Sequence, residues 1–359
     1  MLLICNLIFK QVNIISTDNY DIRFKDDGYD HLKKLIKTKS YSKFFVIVDE
    51  NTKEFCLTRL QEKLSFKLEI IEINSGEINK NLNTCIDLWN NLTNLGADRK
   101  SLVINLGGGV ITDMGGFIAS TFKRGIDFVN IPTTLLSMVD ASIGSKTGIN
   151  LNSIKNQIGL FSDPILVIID TNYLITLSKQ ELRSGYAEIF KHSIISNSNF
   201  EKLIKNPDLI YDENIIANSI ELKNKIIKED KHEANVRKYL NFGHTIGHAI
   251  ESQSLKQKNK LLHGEAIAIG MICESYISSK IKGLNTELTD KIKMHLLKFF
   301  SKVKFSKSDI SEIINLIKFD KKNHLYTPKF VLAKSIGKME FDVDVDENLI
   351  FESFSYYHK

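Results

Sequence analysis

Thiols are scarce in this 359-residue chain. Its four cysteines, Cys5, Cys56, Cys85 and Cys273, are scattered, and no two form a CxxC pair. That spacing excludes a thiolate metal cluster, a dithiol redox motif and a disulfide-stapled scaffold, and it fits a reducing, cytoplasmic setting. Long apolar runs are missing too. No stretch approaches the about 18 consecutive apolar residues that a transmembrane helix needs. The apolar N-terminus, Met1–Phe9, lacks the basic flank and small-residue cleavage site of a secretory signal. Charge of one sign is weak. The 48 basic and 43 acidic residues leave +5, spread over stretches such as Lys33–Lys39 and Lys298–Lys307. No basic stripe with interleaved aromatics exists, so neither nucleic acid nor membrane is expected as a partner. Repeats, low-complexity tracts and long linkers are also lacking.

The chain is long enough for two domains with sizeable cores. In the first half, continuous apolar runs alternate with helical patterns. Phe44–Val48, Lys67–Ile73, Ser101–Leu106, Phe128–Ile131 and Ile165–Ile169 read as buried strands, and Asn83–Leu95 and a small-residue segment from Thr112 read as helices. This pattern predicts a parallel sheet covered on both faces. After about Thr171 the helical period dominates: Lys179–Ser196, Ile215–Asp230, Val236–Ser254, His263–Lys280 and Asn285–Phe300, with a further strand only at Lys329–Ala333. The expected fold is an N-terminal α/β, Rossmann-like nucleotide-binding domain over 1–172 and a mainly α-helical domain over 173–359. The two are expected to abut and form a cleft.

The segment Gly107-Gly108-Gly109-Val110-Ile111-Thr112-Asp113 follows a strand and opens a helix. Glycines let a backbone approach a pyrophosphate, and a helix N-terminus supplies N–H donors. Thr112 stands where a GxGxxG would carry its third glycine, so the segment reads either as a nucleotide loop or as a tight structural turn. Gly115 and Gly116 are costly inside a helix, and their simplest role is close approach to another helix or a ligand.

Arg237, Asn241, His244 and His248 step by 4, 3 and 4 residues. On one continuous helix they would form a single polar stripe among Leu240, Phe242, Ile246 and Ile250. One such histidine is more often a hydrogen-bonded core residue; four aligned groups favour a site. His263 and Glu188 could complete a metal centre, since two imidazoles and a carboxylate are the ligands of an open zinc site. Spacing does not choose among the histidines, and His244 with His248 at i, i+4 is the obvious pair. Basic groups on glycine-rich loops, Lys146, Lys155 and Arg124, suit a phosphorylated substrate, although each alone is more often a solvated surface residue.

Taken together, the blocks GGGVITDMGGFIAS, FKRGIDFVNIPTTLLSMVDASIGSKTGIN, KNQIGLF, LRSGYAEIFKH, LNFGHTIGHAIE, LLHGEAIAIGM and FDKKN resemble the 3-dehydroquinate synthases in identity and order, over about residues 44–340. The resemblance implies an NAD-binding α/β domain, a helical metal- and substrate-binding domain with the active site between them, a homodimer, and one divalent metal, zinc or cobalt. It implies conversion of a sugar-acid phosphate, 3-deoxy-D-arabino-heptulosonate 7-phosphate, to 3-dehydroquinate and phosphate, with NAD oxidising and re-reducing the substrate without net consumption.

By motif, the resemblance makes Glu188, His244 and His263 the metal ligands and turns His248 into an acid/base or hydrogen-bonding group. It places Asp140, Lys146, Asn156, Lys191, Lys223, Arg237, Asn241 and Lys322 on the substrate, Lys155 in the active site, and Arg124 on the phosphate across the dimer. For NAD it implies Asp49, Asn51, Glu77, Lys80, Gly108, Gly109, Val110, Asp113, Thr133 and Thr134, with Lys146, Lys155 and Thr176 on the cofactor side as well. One departure stands out. The family's usual GGKT is Gly144-Ser145-Lys146-Thr147 here, and a serine at positive φ would cost about a kcal/mol or more. Another sugar-phosphate cyclase, a glycerol-dehydrogenase-like polyol dehydrogenase or a catalytically dead binding protein are the competing readings. The pair Lys223 and Arg237 favours a carboxylate-bearing substrate.

Overall fold

The computed structural model describes residues 13–152, 154–255, 260–318 and 329–359. They fall into two compact units. The first holds the described residues up to Pro132 together with Ser145–Asn172 and Asp212–Ala217; the second holds Thr133–Gly144, Tyr173–Tyr211 and the described residues from Asn218 to Lys359. The units are therefore not two uninterrupted halves of the chain.

The first unit is built on a seven-stranded sheet of β1 (Ile14–Ser16), β2 (Asp21–Phe24), β3 (Lys43–Asp49), β4 (Glu69–Ile73), β5 (Ser101–Gly107), β6 (Asp127–Pro132) and β9 (Leu166–Ile169). The order is β1-β2-β9-β6-β5-β3-β4, and every pairing except β1 with β2 is parallel. The apolar runs explain it. Phe45, Val46, Ile47 and Val48 of β3 have no exposure, and burying such a side chain contributes about 1.5–3 kcal/mol. The helices are α1 (Lys25–Lys39), α2 (Glu50–Phe55), α3 (Leu57–Lys63), α4 (Leu82–Asn94) and α5 (Gly109–Thr121). Helix α5 starts three residues before Thr112, directly on the glycines.

Gly115 and Gly116 serve packing within this unit. A Cβ at Gly115 would lie 2.0 Å from Asn105 Oδ1 of β5, and one at Gly116 would lie 2.6 Å from Thr147 Cγ2. Thr147 belongs to an antiparallel hairpin, β7 (Lys146–Leu151) and β8 (Ile154–Phe161), in a region that reads as loop from its small residues. Gly148 faces Gly159 across the hairpin, and a Cβ on Gly159 would meet Thr147 O at 2.3 Å. The glycines that weaken the strand pattern are what allow this close pairing.

The second unit contains α6 (Lys179–Ser196), α7 (Phe200–Lys205), most of α8 (Glu213–Glu229), α9 (His244–Ser254), α10 (His263–Ile281), α11 (Thr286–Phe299), α12 (Lys307–Lys318), the hairpin β10 (Lys329–Ser335) with β11 (Lys338–Asp344), and α13 (Glu347–His358). Helix α10 is its axis and packs against α6, α9, α11, α13 and β10. The sequence predicts one helix over Val236–Ser254. Instead a 3-10 helix, Val236–Asn241, precedes α9, and Gly243 at φ +80° breaks the run. A Cβ there would lie 2.5 Å from Met271 Cγ of α10. No helix among the described residues is long and apolar enough to cross a membrane.

Candidate active site

In the second unit, three distant segments bring a carboxylate and two imidazoles together. Glu188 projects from α6 and is fully buried. His244 and His263 are the first residues of α9 and α10. Glu188 Oε1 lies 3.5 Å from His244 Nε2 and 3.7 Å from His263 Nε2. This oxygen has no hydrogen-bond partner among the described residues, whereas Oε2 accepts from Lys191 Nζ. His244 Nδ1 sits 3.2 Å from Phe242 O, and His263 Nδ1 sits 3.4 Å from Glu251 Oε2. Those acceptors fix Nδ1 as the donor and leave each Nε2 turned toward Glu188, the usual outer support of a metal-binding histidine. An orphaned buried oxygen against two nitrogens fits a zinc- or cobalt-type cation. His248 stands beside them, its ring 4.9 Å from that of His244 and 5.8 Å from that of His263.

Two glycines set this geometry. The N–H of Gly264 donates to Ser184 Oγ at 2.9 Å, and a Cβ on Gly264 would lie 2.2 Å from Ser184 O. His263 is thereby pinned one turn from Glu188. A Cβ on Gly185 would lie 2.5 Å from Leu136 N.

The charges are interlocked. Burial works against an ionised Glu188, yet Lys191 and His263 hold it well below the usual carboxylate range. Burial also works against charge on His263, but Glu188 and Glu251 push its pKa up to about 9. Burial, with Lys191 and the other two imidazoles, keeps His244 neutral. One proton thus sits at His263, and a cation among these ligands would replace it.

Beside this centre, Lys223 Nζ donates to Asp140 O at 2.6 Å and pairs with the Asp140 carboxylate. Burial disfavours the charge on Asp140, and Lys223 outweighs it, holding that carboxyl well below its ordinary range. Arg237 and Asn241 do not continue the histidine face, because Gly243 breaks the helix between them. Arg237 is buried and donates to Lys231 O at 2.5 Å and Gly144 O at 3.4 Å, while Asn241 Nδ2 donates to Glu233 Oε1 at 2.6 Å. Thr133 and Thr134 open the segment Thr133–Gly144 of this unit; Thr133 is buried, and Thr134 Oγ1 accepts the N–H of Ser137 at 3.1 Å. Thr176 is exposed. Lys322 lies outside the described residues.

In the first unit, the strand order reverses between β3 and β5, where open α/β sheets bind ligands at their carboxyl ends. Asp49 ends β3 and caps α2, accepting from Thr52 N at 2.8 Å; Asn51 lies in the first turn of α2. Glu77 and Lys80 follow β4. Gly108, Gly109, Val110 and Asp113 open α5, whose N–H groups suit a pyrophosphate. Lys80 is 3% exposed and donates to Asp113 Oδ2 at 2.5 Å and Asn156 Oδ1 at 2.7 Å. Asn150 Nδ2 donates to Glu77 Oε1 at 2.9 Å, and Asn150 Oδ1 accepts the N–H of Asn156 at 2.8 Å. The β7–β8 hairpin thus holds the Glu77–Lys80 turn. Lys146 is exposed at the start of β7, Lys155 is half-buried on β8, and Arg124 is exposed at φ +73°.

Residues 70–184 match the family model described as 3-dehydroquinate synthase N-terminal, and residues 185–323 match 3-dehydroquinate synthase C-terminal. The chain belongs to the 3-dehydroquinate synthase family. A 3-dehydroquinate synthase of Parabacteroides distasonis is 39% identical over 334 residues, covering 91% of this chain and 95% of that protein. One of Dictyoglomus turgidum is 40% identical over 335 residues, covering 90% and 92%. Among solved structures, a 2-deoxy-scyllo-inosose synthase complexed with carbaglucose-6-phosphate, NAD+ and Co2+ has a TM-score of 0.82 at 25% identity, covering 96% of this chain and 98% of that one.

Against the family's motifs, several supporting residues escape a reading by spacing. His192 directly follows Lys191; its Nδ1 is 2.6 Å from Ser219 Oγ, and burial lowers its pKa to about 3. It groups within 4.8 Å of carboxylate oxygens of Asp140 and Glu188. Glu251 lies one turn after His248 and faces the opposite imidazole. The available signal in each case is a charged or imidazole group inside an otherwise apolar helix.

Proposed function

We propose that this family member is a catalytically competent 3-dehydroquinate synthase, a carbon–oxygen lyase of the shikimate pathway. It would convert 3-deoxy-D-arabino-heptulosonate 7-phosphate to 3-dehydroquinate and phosphate, using NAD and one divalent metal, zinc or cobalt. The observation that carries this reading is the buried Glu188 oxygen that has no hydrogen bond among the described residues and is set against Nε2 of His244 and His263. Family membership and the NAD+ and Co2+ bound by the related inosose synthase support it.

Glu188, His244 and His263 would hold the metal. Asp49, Asn51, Glu77, Lys80, Gly108, Gly109, Val110, Asp113, Thr133, Thr134 and Thr176 would hold NAD. When bound, the metal supplies Lewis acidity to substrate hydroxyls, and NAD supplies a hydride acceptor that is restored within each turnover. Lys223 and Arg237, with Asn241, match a substrate carboxylate, and Lys191 and Asp140 orient the substrate beside the metal ligands. His248 is the acid/base group of the imidazole cluster. Lys146 and Asn156, with His248, are assigned to the phosphate, whose departing charge they stabilise, and Lys155 is assigned to the active site. Arg124 is assigned to the phosphate of a neighbouring copy in a homodimer. We place the enzyme in the cytoplasm and assign 1–172 chiefly to NAD and 173–359 chiefly to metal and substrate, with Asp140, Lys146, Lys155 and Asn156 of the first span on the substrate side and Thr176 of the second on the NAD side.

The test is to incubate metal-loaded protein and catalytic NAD with the heptulosonate phosphate, following inorganic phosphate and absorbance at 340 nm together. Phosphate release without net NADH, and a product that dehydroquinase dehydrates, is the expected result. Steady NADH without phosphate would indicate a polyol dehydrogenase. Turnover only of other sugar phosphates would indicate another cyclase. No signal at all would indicate a dead homologue.

A further inference from the structure

Glu274 lies on α10, eleven residues beyond His263, and has no exposed surface. A carboxylate so deeply buried needs a strong reason to be there. Its Oε2 accepts the N–H of Gly243 at 2.6 Å, and its Oε1 accepts the N–H of Ile246 at 3.1 Å. These are N-terminal donors of α9, the helix that begins at His244. Helix N-termini leave such donors unsatisfied, and Gly243 at the cap position has no side chain to offer. The neighbouring helix supplies the cap instead.

The same junction is held by backbone contact. A Cβ on Gly270 of α10 would lie 2.0 Å from Gly243 O, and one on Gly247 of α9 would lie 3.1 Å from Ala266 O. Gly243, Gly247 and Gly270 therefore let α9 and α10 touch, while Glu274 sets how α9 enters that contact. His244 leads α9 and His263 leads α10, so the separation of these two imidazoles depends on this junction.

We infer that Glu274 is a positioning residue for the metal centre: by capping α9 from α10, it fixes where His244 presents Nε2 to Glu188 and His263. The inference rests on the reading of those three residues as metal ligands. Partners that orient ligands from outside the coordination shell change metal affinity about 10–100-fold when removed.

The test uses the full chain stripped of metal and titrated with Co2+ against a competing chelator, with the visible Co2+ spectrum and the melting of the metal-free protein recorded alongside. Glu274→Gln keeps the side chain's shape but turns an NH2 group toward a backbone N–H. It should weaken Co2+ binding about tenfold or more and alter the Co2+ spectrum. Glu274→Asp, which keeps the carboxylate, should restore part of both. A merely structural role would lower melting without moving the spectrum. Wild-type affinity and spectrum in a folded Glu274→Gln protein would overturn the inference. If the Gln variant does not fold, the Asp variant is read by the same two measures. Failure of both to fold would assign Glu274 to the fold as a whole, which also overturns it. His244→Ala separates the two readings. Normal Co2+ binding in that variant overturns the ligand assignment and the inference with it, whereas lost binding there with an unchanged Glu274→Gln protein overturns the inference alone.

Discussion

Replacing Ser145 with glycine should destabilise this protein, although glycine is the residue that the family resemblance implies there. Ser145 adopts φ +64°, the left-handed region, which costs a serine about 1 kcal/mol that glycine would recover. Against that, the Ser145 hydroxyl donates to the Asp163 carboxylate, and Asn19 Nδ2 holds the other carboxylate oxygen at 2.8 Å. A hydrogen bond to a charged group contributes about 1.5–3 kcal/mol, and the lower end applies because Asp163 is only half-buried. Glycine also adds about 0.5–1 kcal/mol of unfolded-state freedom. The net is a loss of about 1 kcal/mol. Ser145→Ala keeps the strain and loses the bond, so it should lose slightly more, about 1.5 kcal/mol. The lone tryptophan, Trp89, lies on α4 in the same unit and reports its unfolding. The urea midpoint followed by its fluorescence should fall by about 0.3–0.5 M in Ser145→Gly. Lys146 adjoins this turn, so the KM for the phosphorylated substrate should rise in both variants while kcat changes less. A glycine variant as stable as the parent would refute the reasoning, because the Asp163 bond would then offset nothing.

Other expectations concern charge. His244→Ala should lose metal stoichiometry, measured by elemental analysis, and turnover with it; retention of both would remove His244 from the ligand set. Lys80→Met should leave Asp113 without its cation and lower stability by about 3 kcal/mol, the lower end for a broken buried pair because Asp113 is partly exposed, with a weakened NAD affinity by calorimetry; wild-type melting and binding would contradict this. The pKa of His263 is raised in the fold to about 9. For the metal-free protein its stabilising contribution is therefore complete below the ordinary histidine value and lost as pH rises through about 9. Metal affinity should run the other way, rising with pH until about 9 as the competing proton leaves. Co2+ titrations from pH 6 to 9 giving a flat affinity would exclude His263 as a protonated ligand.

Much of the fold was legible from side-chain order. The runs around Phe45 and Val103 read as doubly covered strands, and they form two adjacent, fully flanked strands of the largely parallel sheet. Lys179–Ser196 is a helix with the boundaries that periodicity predicts. Such features are local, set by whether apolar groups repeat every residue or every third and fourth. Family resemblance likewise rests on residue identity and order, which need no coordinates.

Other features depended on contacts between distant segments. A single helix over Val236–Ser254 satisfies the local pattern, but the Met271 side chain, the backbone of α10 and the Glu274 carboxylate meet Gly243 and impose a break there. The β7–β8 hairpin reads as loop until Gly148 and Gly159 are seen face to face. No spacing places Glu188 against His244 and His263, which lie 56 and 75 residues further on. Sequence chemistry nominated the groups able to bind a cation. Their meeting was decided by tertiary packing, where Gly264 abuts Ser184 and Gly270 abuts Gly243, because only the absence of a side chain lets those backbones come close enough to converge.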